Sequence, residues 1–273
     1  MGLERLLEET TEAYYWMGFL FADGHFNDKK GKTSIVVGLS EKDRLHLEKL
    51  SKFVDVEMKE RVSTWTYNGI KKTSKQCNLS KWDKTNVLKI IDKFSILPLK
   101  TYNPPLNLNI QADDLFIAFI VGFIDGDGCI DKQGCLHVQC HKSWNVILEQ
   151  WFNRLYDISG VEIVNKVQKT LLKCSIDKRD GSGRIEIYNN DVLMFLKNKV
   201  IEMNLPVLER KWDRIIKRKR YARDSSAIKA SIKELMVLGL TQKDIADKVG
   251  VGYSYISFIK GGEKRKRSDG SYR

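Results

Sequence analysis

The sequence has no apolar run long enough to cross a membrane, and this absence sets the first limit on its function. A transmembrane helix needs about 20 predominantly apolar residues, and the apolar stretches of this 273-residue chain are all shorter. The first ten residues, MGLERLLEET, lack the charge pattern of a secretory signal peptide. We therefore expect a cytoplasmic or otherwise intracellular protein, encoded by a cell, a phage or an organelle, with no membrane partner.

Cysteine and histidine are also scarce, which limits disulfide and zinc chemistry. The five cysteines form no CxxC pair and their number is odd, which is typical of a reduced protein without a disulfide framework. Cys135, His137, Cys140 and His141 lie close together in the sequence. A strand would turn Cys140 away from the other three, and their spacing matches no common zinc finger. We therefore predict no zinc site here.

Acidic residues are outnumbered by basic ones, 35 to 47, which gives a formal net charge of +12. A basic excess of this size favours a polyanionic partner, and without a membrane span that partner is nucleic acid. Hydrophobic residues make up 42% of the chain, enough to bury ordinary cores. The length suits two or three domains.

The predicted elements occur twice in the same order, which indicates an internal repeat. Each copy has an apolar helix, a strand, a second helix, a hairpin and a closing helix. After the helix at Tyr15, the first copy continues with 34–40, 43–53, a hairpin turning at Asn68-Gly69, and 83–94. The second copy comprises 115–125, 135–141, 144–156, a hairpin over 162–189, and 191–202. We therefore predict an α+β fold with two units, 1–103 and 104–220, and a third piece at 221–273.

The first strand of each copy has one apolar and one open face, because successive side chains in a strand alternate. Leu136 and Val138 point inward in the second copy, as Ile35 and Val37 do in the first. In a basic chain, we expect the open face to contact DNA phosphates and bases. The residues predicted to lie on it are Ser34, Val36, Gly38, Ser40, His137, Gln139 and His141.

Two apolar segments share a pattern of small residues, YYWMGFLFADGHFN (14–27) and AFIVGFIDGDGCID (118–131). On a helix, Ala118, Gly122 and Gly126 line one stripe, and so do Gly18 and Ala22. A glycine inside a helix costs about 0.5–1 kcal/mol relative to alanine, so the repeated stripe predicts a closely packed helix pair.

Each of these helices ends in Asp-Gly, which places Asp23 and Asp127 side by side at two negative helix ends. We expect Gly24 and Gly128 to adopt a left-handed C-terminal cap. A divalent cation would relieve the repulsion, with the two carboxylates and the carbonyls of Ala22 and Gly126 as a hard-oxygen site for Mg²⁺. A calcium-binding loop starting at Asp125 is excluded, because the residues at its fifth, sixth and twelfth positions are unsuitable.

These segments resemble the two name-giving helices of the LAGLIDADG homing endonucleases. WMGFLFADG (16–24) and IVGFIDGDG (120–128) carry the resemblance, which covers roughly residues 10–215 and is to the single-chain, two-motif type. Phe21 departs from the motif, which has an acid at that place, but Asp23 matches the metal-binding acid. The resemblance implies two αββαββα units that form a pseudo-twofold saddle on DNA.

The resemblance also implies how the site works. The acids reach across the minor groove to one phosphate in each strand, and Asp23 and Asp127 share two or three divalent ions. A basic residue near the end of each unit, here Lys100 and Lys211, stabilises charge on the phosphate. Polar residues at the ends of the first strands, at the positions of Ser40 and His141, lie near the attacking water.

Residues 227–262 have the pattern of a helix-turn-helix. Thr241 and Asp244 form a capping box. Counted from Gln242, Ala246 is fifth, Gly250 ninth, Ile256 fifteenth and Ile259 eighteenth, which are small, turn-forming and anchoring positions of the motif. The second helix would enter a major groove, with a basic tail after it. Its expected base-reading residues are Tyr253, Ser254, Tyr255, Ser257 and Lys260.

The sequence therefore predicts a monomeric, magnesium-dependent, site-specific endonuclease for double-stranded DNA, of the kind that mobilises introns or inteins. Two alternatives remain open. One is an intron maturase, which binds folded RNA. The other is a transcription regulator that joins a degenerate form of the fold to a helix-turn-helix.

Overall fold

A computed structural model describes residues 2–29, 32–106, 108–132, 134–161, 175–176, 182–216, 225–249, 251 and 253–261. Met1–Lys217 and Arg218–Arg273 form two compact units. Most of the predicted second hairpin (162–174 and 177–181), the turn residue Gly250 and the basic tail lie outside the described residues.

The first half of the larger unit has the order αββαββα. A short 3-10 helix at Leu3–Leu7 precedes it, and another at Glu41–Asp43 follows its second strand. The elements are α1 Thr11–Asp23, β1 His25–Lys29, β2 Lys32–Ser40, α2 Arg44–Val54, β3 Met58–Tyr67, β4 Ile70–Trp82 and α3 Lys84–Lys93. The four strands form an antiparallel sheet in the order β1-β2-β4-β3.

The second half repeats this order, with a matching 3-10 helix at Lys142–Trp144. Its elements are α4 Asp113–Asp127, β5 Gly128–Ile130, β6 Leu136–His141, α5 Asn145–Ser159, β7 Ser175–Ile176, β8 Ser182–Ile187, α6 Asn190–Glu202 and a final turn of helix, α7 Glu209–Trp212. The sheet order β5-β6-β8-β7 matches that of the first half. The predicted α+β fold with two pseudo-symmetric αββαββα units is confirmed.

The first hairpin turns where the sequence predicts. Asn68 and Gly69 both have positive φ, 49° and 76°, between strands that pair Tyr67 with Ile70. Two residues with positive φ are characteristic of the type I′ turn, whose twist matches that of the strands it joins.

The two small-residue stripes meet in the centre of the larger unit. A methyl group on Gly18 would lie 1.9 Å from the carbonyl oxygen of Phe119, and one on Gly122 would lie 1.9 Å from that of Tyr15. Toward the helix ends, a methyl group on Gly126 would lie 2.2 Å from Cβ of Ala22. Ala118 is fully buried. The close packing of α1 against α4 is therefore confirmed, and the glycines are required because backbone touches backbone.

The glycines that follow the two acids have a backbone conformation other than the predicted one. Gly24 and Gly128 have φ of −77° and −87° with extended ψ, so the predicted left-handed caps are wrong. The chain runs directly from each helix into a strand, and a strand requires an extended backbone. Glycine is still needed, because a methyl group at either position would lie 2.5 Å from a helix carbonyl oxygen.

The side chains of β2 and β6 point largely to the faces that the sequence predicts. Ile35, Val37, Leu136 and Val138 are buried in the core. On the other face, Gly38, Ser40 and Gln139 are exposed, and Val36, His137 and His141 are partly exposed. Ser34 is an exception, because it is only 1% exposed and offers nothing to a partner. Its cross-strand neighbours are Asn27 on β1 and Trp82 on β4.

The described residues of the second unit form three helices, α8 Ser225–Val237, α9 Gln242–Val249 and α10 Tyr253–Gly261. Ile232, Ile245 and Ile256 are fully buried, one from each helix, and form its core. The predicted cap at the start of α9 is present, since the Asp244 N–H donates to Oγ1 of Thr241 at 3.2 Å. Across the part of the chain that the structure describes, no helix has the length and apolar character needed to span a membrane.

Candidate active site

Two carboxylates lie at the adjoining ends of the central helices. Asp23 is the last residue of α1 and Asp127 the last of α4, and both are exposed at the surface. Partial desolvation by the surrounding protein, followed by the negative charge of Asp127, raises the pKa of Asp23 to about 6. Desolvation also raises the pKa of Asp127. The two acids therefore sit in an electrostatically unfavourable place that a cation would stabilise.

Lys100 approaches the end of α1. Its ammonium group donates hydrogen bonds to the carbonyl oxygens of Phe21 at 2.5 Å and Ala22 at 2.9 Å. These carbonyls have no partner further along the helix, so the lysine caps the negative end of the helix. Desolvation lowers the pKa of this lysine.

Lys211 has the matching position at the end of α4 and is more deeply buried, with 7% of the residue exposed. Its ammonium group donates to the carbonyl oxygens of Asp125 at 2.5 Å, Gly128 at 2.7 Å and Ile124 at 3.2 Å. The structure thus brings both predicted lysines to the ends of the helices that carry the acids. The sequence did not indicate that they bind helix carbonyls there.

The lysine contacts change the expected set of metal ligands. The Ala22 carbonyl already accepts from an ammonium group, which would repel a cation beside it, so the structure argues against this carbonyl as a ligand. No hydrogen bond or ion pair from the described residues engages the carboxylate of Asp23. Within the same residues, no three His, Cys, Asp or Glu side chains are grouped to hold a metal. Two carboxylates completed by water and other oxygen ligands fit Mg²⁺, which keeps several waters and binds few protein groups.

One further polar group contacts an acid, and two polar residues end the central strands. Cys140 on β6 donates from Sγ to Oδ2 of Asp127 at 3.7 Å, a contact that sequence reasoning missed. Ser40 and His141 end the two central strands, as predicted. The His141 ring lies edge-on to Tyr102, with ring centroids 4.9 Å apart.

The open sheet faces carry polar and basic side chains. The β3–β4 hairpin exposes five basic residues: Lys59, Arg61, Lys71, Lys72 and Lys75. The strand register places Lys59, Arg61 and Lys72 on the open face with Gly38, whereas Lys71 and Lys75 lie on the face of the buried Cys77. On the second sheet, His137 lies between the carboxylates of Asp131 and Glu186, at 3.0 and 3.2 Å. Arg184 forms an ion pair with Glu186 at 2.6 Å. The expected contacts of Gln139 and of the α10 residues with DNA remain predictions, and the side chains of Tyr253 and Ser254 lie outside what the structure describes.

A buried hydrogen-bond network joins the halves beneath the site. The Tyr15 hydroxyl donates to Oδ2 of Asp125 at 2.7 Å and lies 3.1 Å from Nε2 of His46. Asp125 also accepts from the Leu208 N–H at 3.0 Å and from the Trp212 ring at 2.9 Å. Asp125 occupies the motif position that holds Phe21 in the first copy, so only the second half has this carboxylate.

His46 must be neutral in this network. Because the Tyr15 hydroxyl donates to Asp125, it accepts from Nε2–H of His46, which leaves Nδ1 as the unprotonated nitrogen. That nitrogen is buried without a hydrogen-bond partner. Desolvation lowers the pKa of His46 to about 3.

The neutral histidine predicts acid sensitivity. Its pKa is lower in the folded than in the unfolded state, so its contribution to stability is present above pH 6.5 and is lost as the pH falls toward 3. Between pH 7 and pH 4.5 we expect the free energy of unfolding to fall by about 2–3 kcal/mol more in the wild type than in His46→Gln. Urea denaturation at the two pH values measures this difference, and parallel pH profiles for the two proteins would contradict it.

Comparison with known proteins gives structural neighbours only. No protein-family model matches the chain, and no curated protein matches it. Solved structures similar to it include the homing endonuclease I-WcaI bound to its DNA recognition sequence, at 13% identity and a TM-score of 0.49, over 79% of this chain and 88% of the other. The meganuclease I-SmaMI bound to uncleavable DNA is 16% identical with a TM-score of 0.42, over 91% and 97%. The N-terminal LAGLIDADG domain of WhiA is 15% identical with a TM-score of 0.41, over 79% and 89%.

Proposed function

We propose that the protein is a site-specific DNA endonuclease that hydrolyses both strands of a long duplex target. The observation that carries the proposal is the pair of exposed acids, Asp23 and Asp127, at the adjoining ends of a buried helix pair. Each acid is accompanied by one lysine of its own half. This duplication gives one acid and one lysine for each of two antiparallel DNA strands.

The chain's own residues would divide the chemistry as follows. Asp23 and Asp127 would hold Mg²⁺, which when bound supplies an activated water and stabilises the charge on the leaving oxygen. Lys100 and Lys211 neutralise the helix-end carbonyls and add positive potential where a phosphate would approach the acids. No nucleophilic side chain is needed for this reaction.

DNA would be held by the two open sheet faces. Exposed lysines and arginine on β3–β4 suit phosphate contacts, and Gly38, Ser40 and Gln139 offer small or polar surfaces near the strand ends. The second unit would act as a helix-turn-helix, with Tyr255, Ser257 and Lys260 on α10 directed to a major groove. Its three-helix core and the cap at Thr241 support that role.

The substrate can be found by selection. The full-length protein would be incubated with a library of random DNA duplexes, in calcium to recover bound molecules and in magnesium to recover cleaved ends. The proposal expects one family of sequences in both pools, with double-strand ends at a fixed position. Recovery of bound duplexes without cleaved ends would favour a regulator. Recovery of no duplex, together with tight binding to structured intron RNA in a parallel titration, would favour a maturase.

Deleting the second unit tests the contributions of the two proposed DNA-binding parts separately. A protein ending near Arg220 is expected to cut the same site with weaker affinity and a shallower dependence on salt, because fewer phosphate contacts release fewer counterions. Footprinting and binding titrations at several salt concentrations test this on one long target. An unchanged footprint would make the second unit a protein-contact module, and a moved cut site would mean that it selects the target.

A further inference from the structure

The lysine-bearing segment of each half is attached to the opposite half. In the second half, Arg210 immediately precedes Lys211. Its Nε and Nη2 atoms donate to Oδ1 and Oδ2 of Asp43 at 2.7 and 2.8 Å. Asp43 belongs to the first half, where it ends the 3-10 helix that follows β2. This is a two-bond guanidinium–carboxylate pair whose carboxylate is largely buried, with 9% of Asp43 exposed.

A different contact occupies the matching place in the other half. Trp144 ends the 3-10 helix that follows β6, as Asp43 ends the one that follows β2. Its ring N–H donates to the carbonyl oxygens of Lys100 at 3.1 Å and Thr101 at 3.0 Å, in the lysine segment of the first half. The ring is buried and stacks on Phe123, with centroids 5.6 Å apart.

We propose that Asp43 and Trp144 are positioning residues, each of which fixes the lysine of the opposite half beside the acid that this lysine serves. The proposal rests on the nuclease function above. Each segment is held at two points, by the ammonium group on its own helix end and by the 3-10 helix across the molecule. Two-point attachment restricts the lysine to one place, and a displacement of about 1 Å at a reacting group can cost on the order of 100-fold in rate.

The two attachments differ in chemistry, so they can be broken separately. The Asp43–Arg210 pair combines charge and directional hydrogen bonds, which makes it stronger than a neutral bond. The Trp144 attachment depends on ring packing and one shared N–H. Loss of either contact releases only one lysine, so the expected consequence is slow cleavage of one DNA strand.

Strand-resolved cleavage tests the proposal. Single-turnover reactions in magnesium would use the selected duplex with a different label on each strand. Asp43→Asn is expected to slow cleavage of one strand about tenfold or more and the other by less than about threefold. Trp144→Phe, which removes the N–H and keeps most of the packing, is expected to slow the opposite strand. DNA affinity in calcium should not change in either variant.

Three further variants keep the test interpretable. Arg210→Gln should slow the same strand as Asp43→Asn, and the double variant should be no slower than either single one, because both remove one interaction. Glu209→Gln is the matched control. It removes a neighbouring contact between the halves, the exposed Lys49–Glu209 ion pair, and should cut both strands at the wild-type rate.

Failure of the positioning proposal can be distinguished from failure of the proposed nuclease function. If Asp43→Asn slows both strands equally, or neither, or if Asp43→Asn and Trp144→Phe slow the same strand, the positioning proposal is wrong and the nuclease stands. If the wild type cuts no strand of any bound duplex, the proposed function is wrong and this proposal fails with it.

Discussion

Replacing Asp127 with asparagine is expected to abolish double-strand cleavage and to leave DNA binding in calcium within about threefold of the wild type. Asparagine keeps the shape of the side chain but cannot hold a divalent cation as a carboxylate does. The loss of metal assistance removes several kcal/mol of transition-state stabilisation, on the order of 1,000-fold or more in rate. Gel-based cleavage assays in magnesium and binding titrations in calcium measure the two quantities.

The same substitution should not destabilise the fold. The Asp127 charge raises the pKa of Asp23, so removing this charge relieves repulsion between the two helix ends. We therefore expect an inactive protein whose melting temperature is equal to or above that of the wild type. Asp114→Asn, which removes an acid from the opposite end of α4, is the control and should cut normally. An active Asp127→Asn protein, or an inactive Asp114→Asn protein, would contradict the assignment.

The second large effect is expected from one methyl group in the helix pair. Alanine in place of glycine inside a helix normally stabilises a protein by up to about 1 kcal/mol. At Gly122 the added carbon would lie 1.9 Å from the Tyr15 carbonyl oxygen, so α1 and α4 must separate. We expect Gly122→Ala to lower the free energy of unfolding by about 3 kcal/mol, at the upper end of typical overpacking costs.

The direction of the change in the free energy of unfolding distinguishes a tight helix contact from an open one. Chemical denaturation would compare Gly122→Ala with Gly18→Ala, whose methyl group would meet Phe119 at the same distance. Both should be destabilised. Ala112→Leu, at the exposed start of α4, adds more volume and should change stability little. Stabilisation by either glycine substitution would show that the stripes do not touch.

The structural features that the sequence predicted correctly depend on residues that lie close together in the chain. The helix pair follows from small residues at helical spacing, and the hairpin follows from Asn68-Gly69, because both signals depend on a few neighbouring residues. The acids were located because they end the two central helices, whereas the lysines were indicated only by the family resemblance. The residue patterns missed strands β1 and β5, which only the family resemblance implied, since HFNDK alternates poorly and GCI is only three residues long.

Contacts between distant residues explain what the sequence could not show. Tyr15 and Asp125 are 110 residues apart, and Arg210 and Asp43 are 167 apart, so no local pattern links them. The error at Gly24 has a different cause. Asp-Gly after a helix is compatible with a left-handed cap or with direct entry into a strand, and strand β1 decides for the second. Ser34 was misjudged because alternation predicts the face of a strand but not what covers it.

The most direct test of the central claim compares the wild type with the double variant Asp23→Asn, Asp127→Asn on the selected target. Cleavage in magnesium and binding in calcium would be measured on the same labelled duplex. We predict a double-strand break with the wild type, and with the double variant no cleavage but nearly unchanged binding. Cleavage by the double variant at the wild-type rate would show that these acids are not the active site.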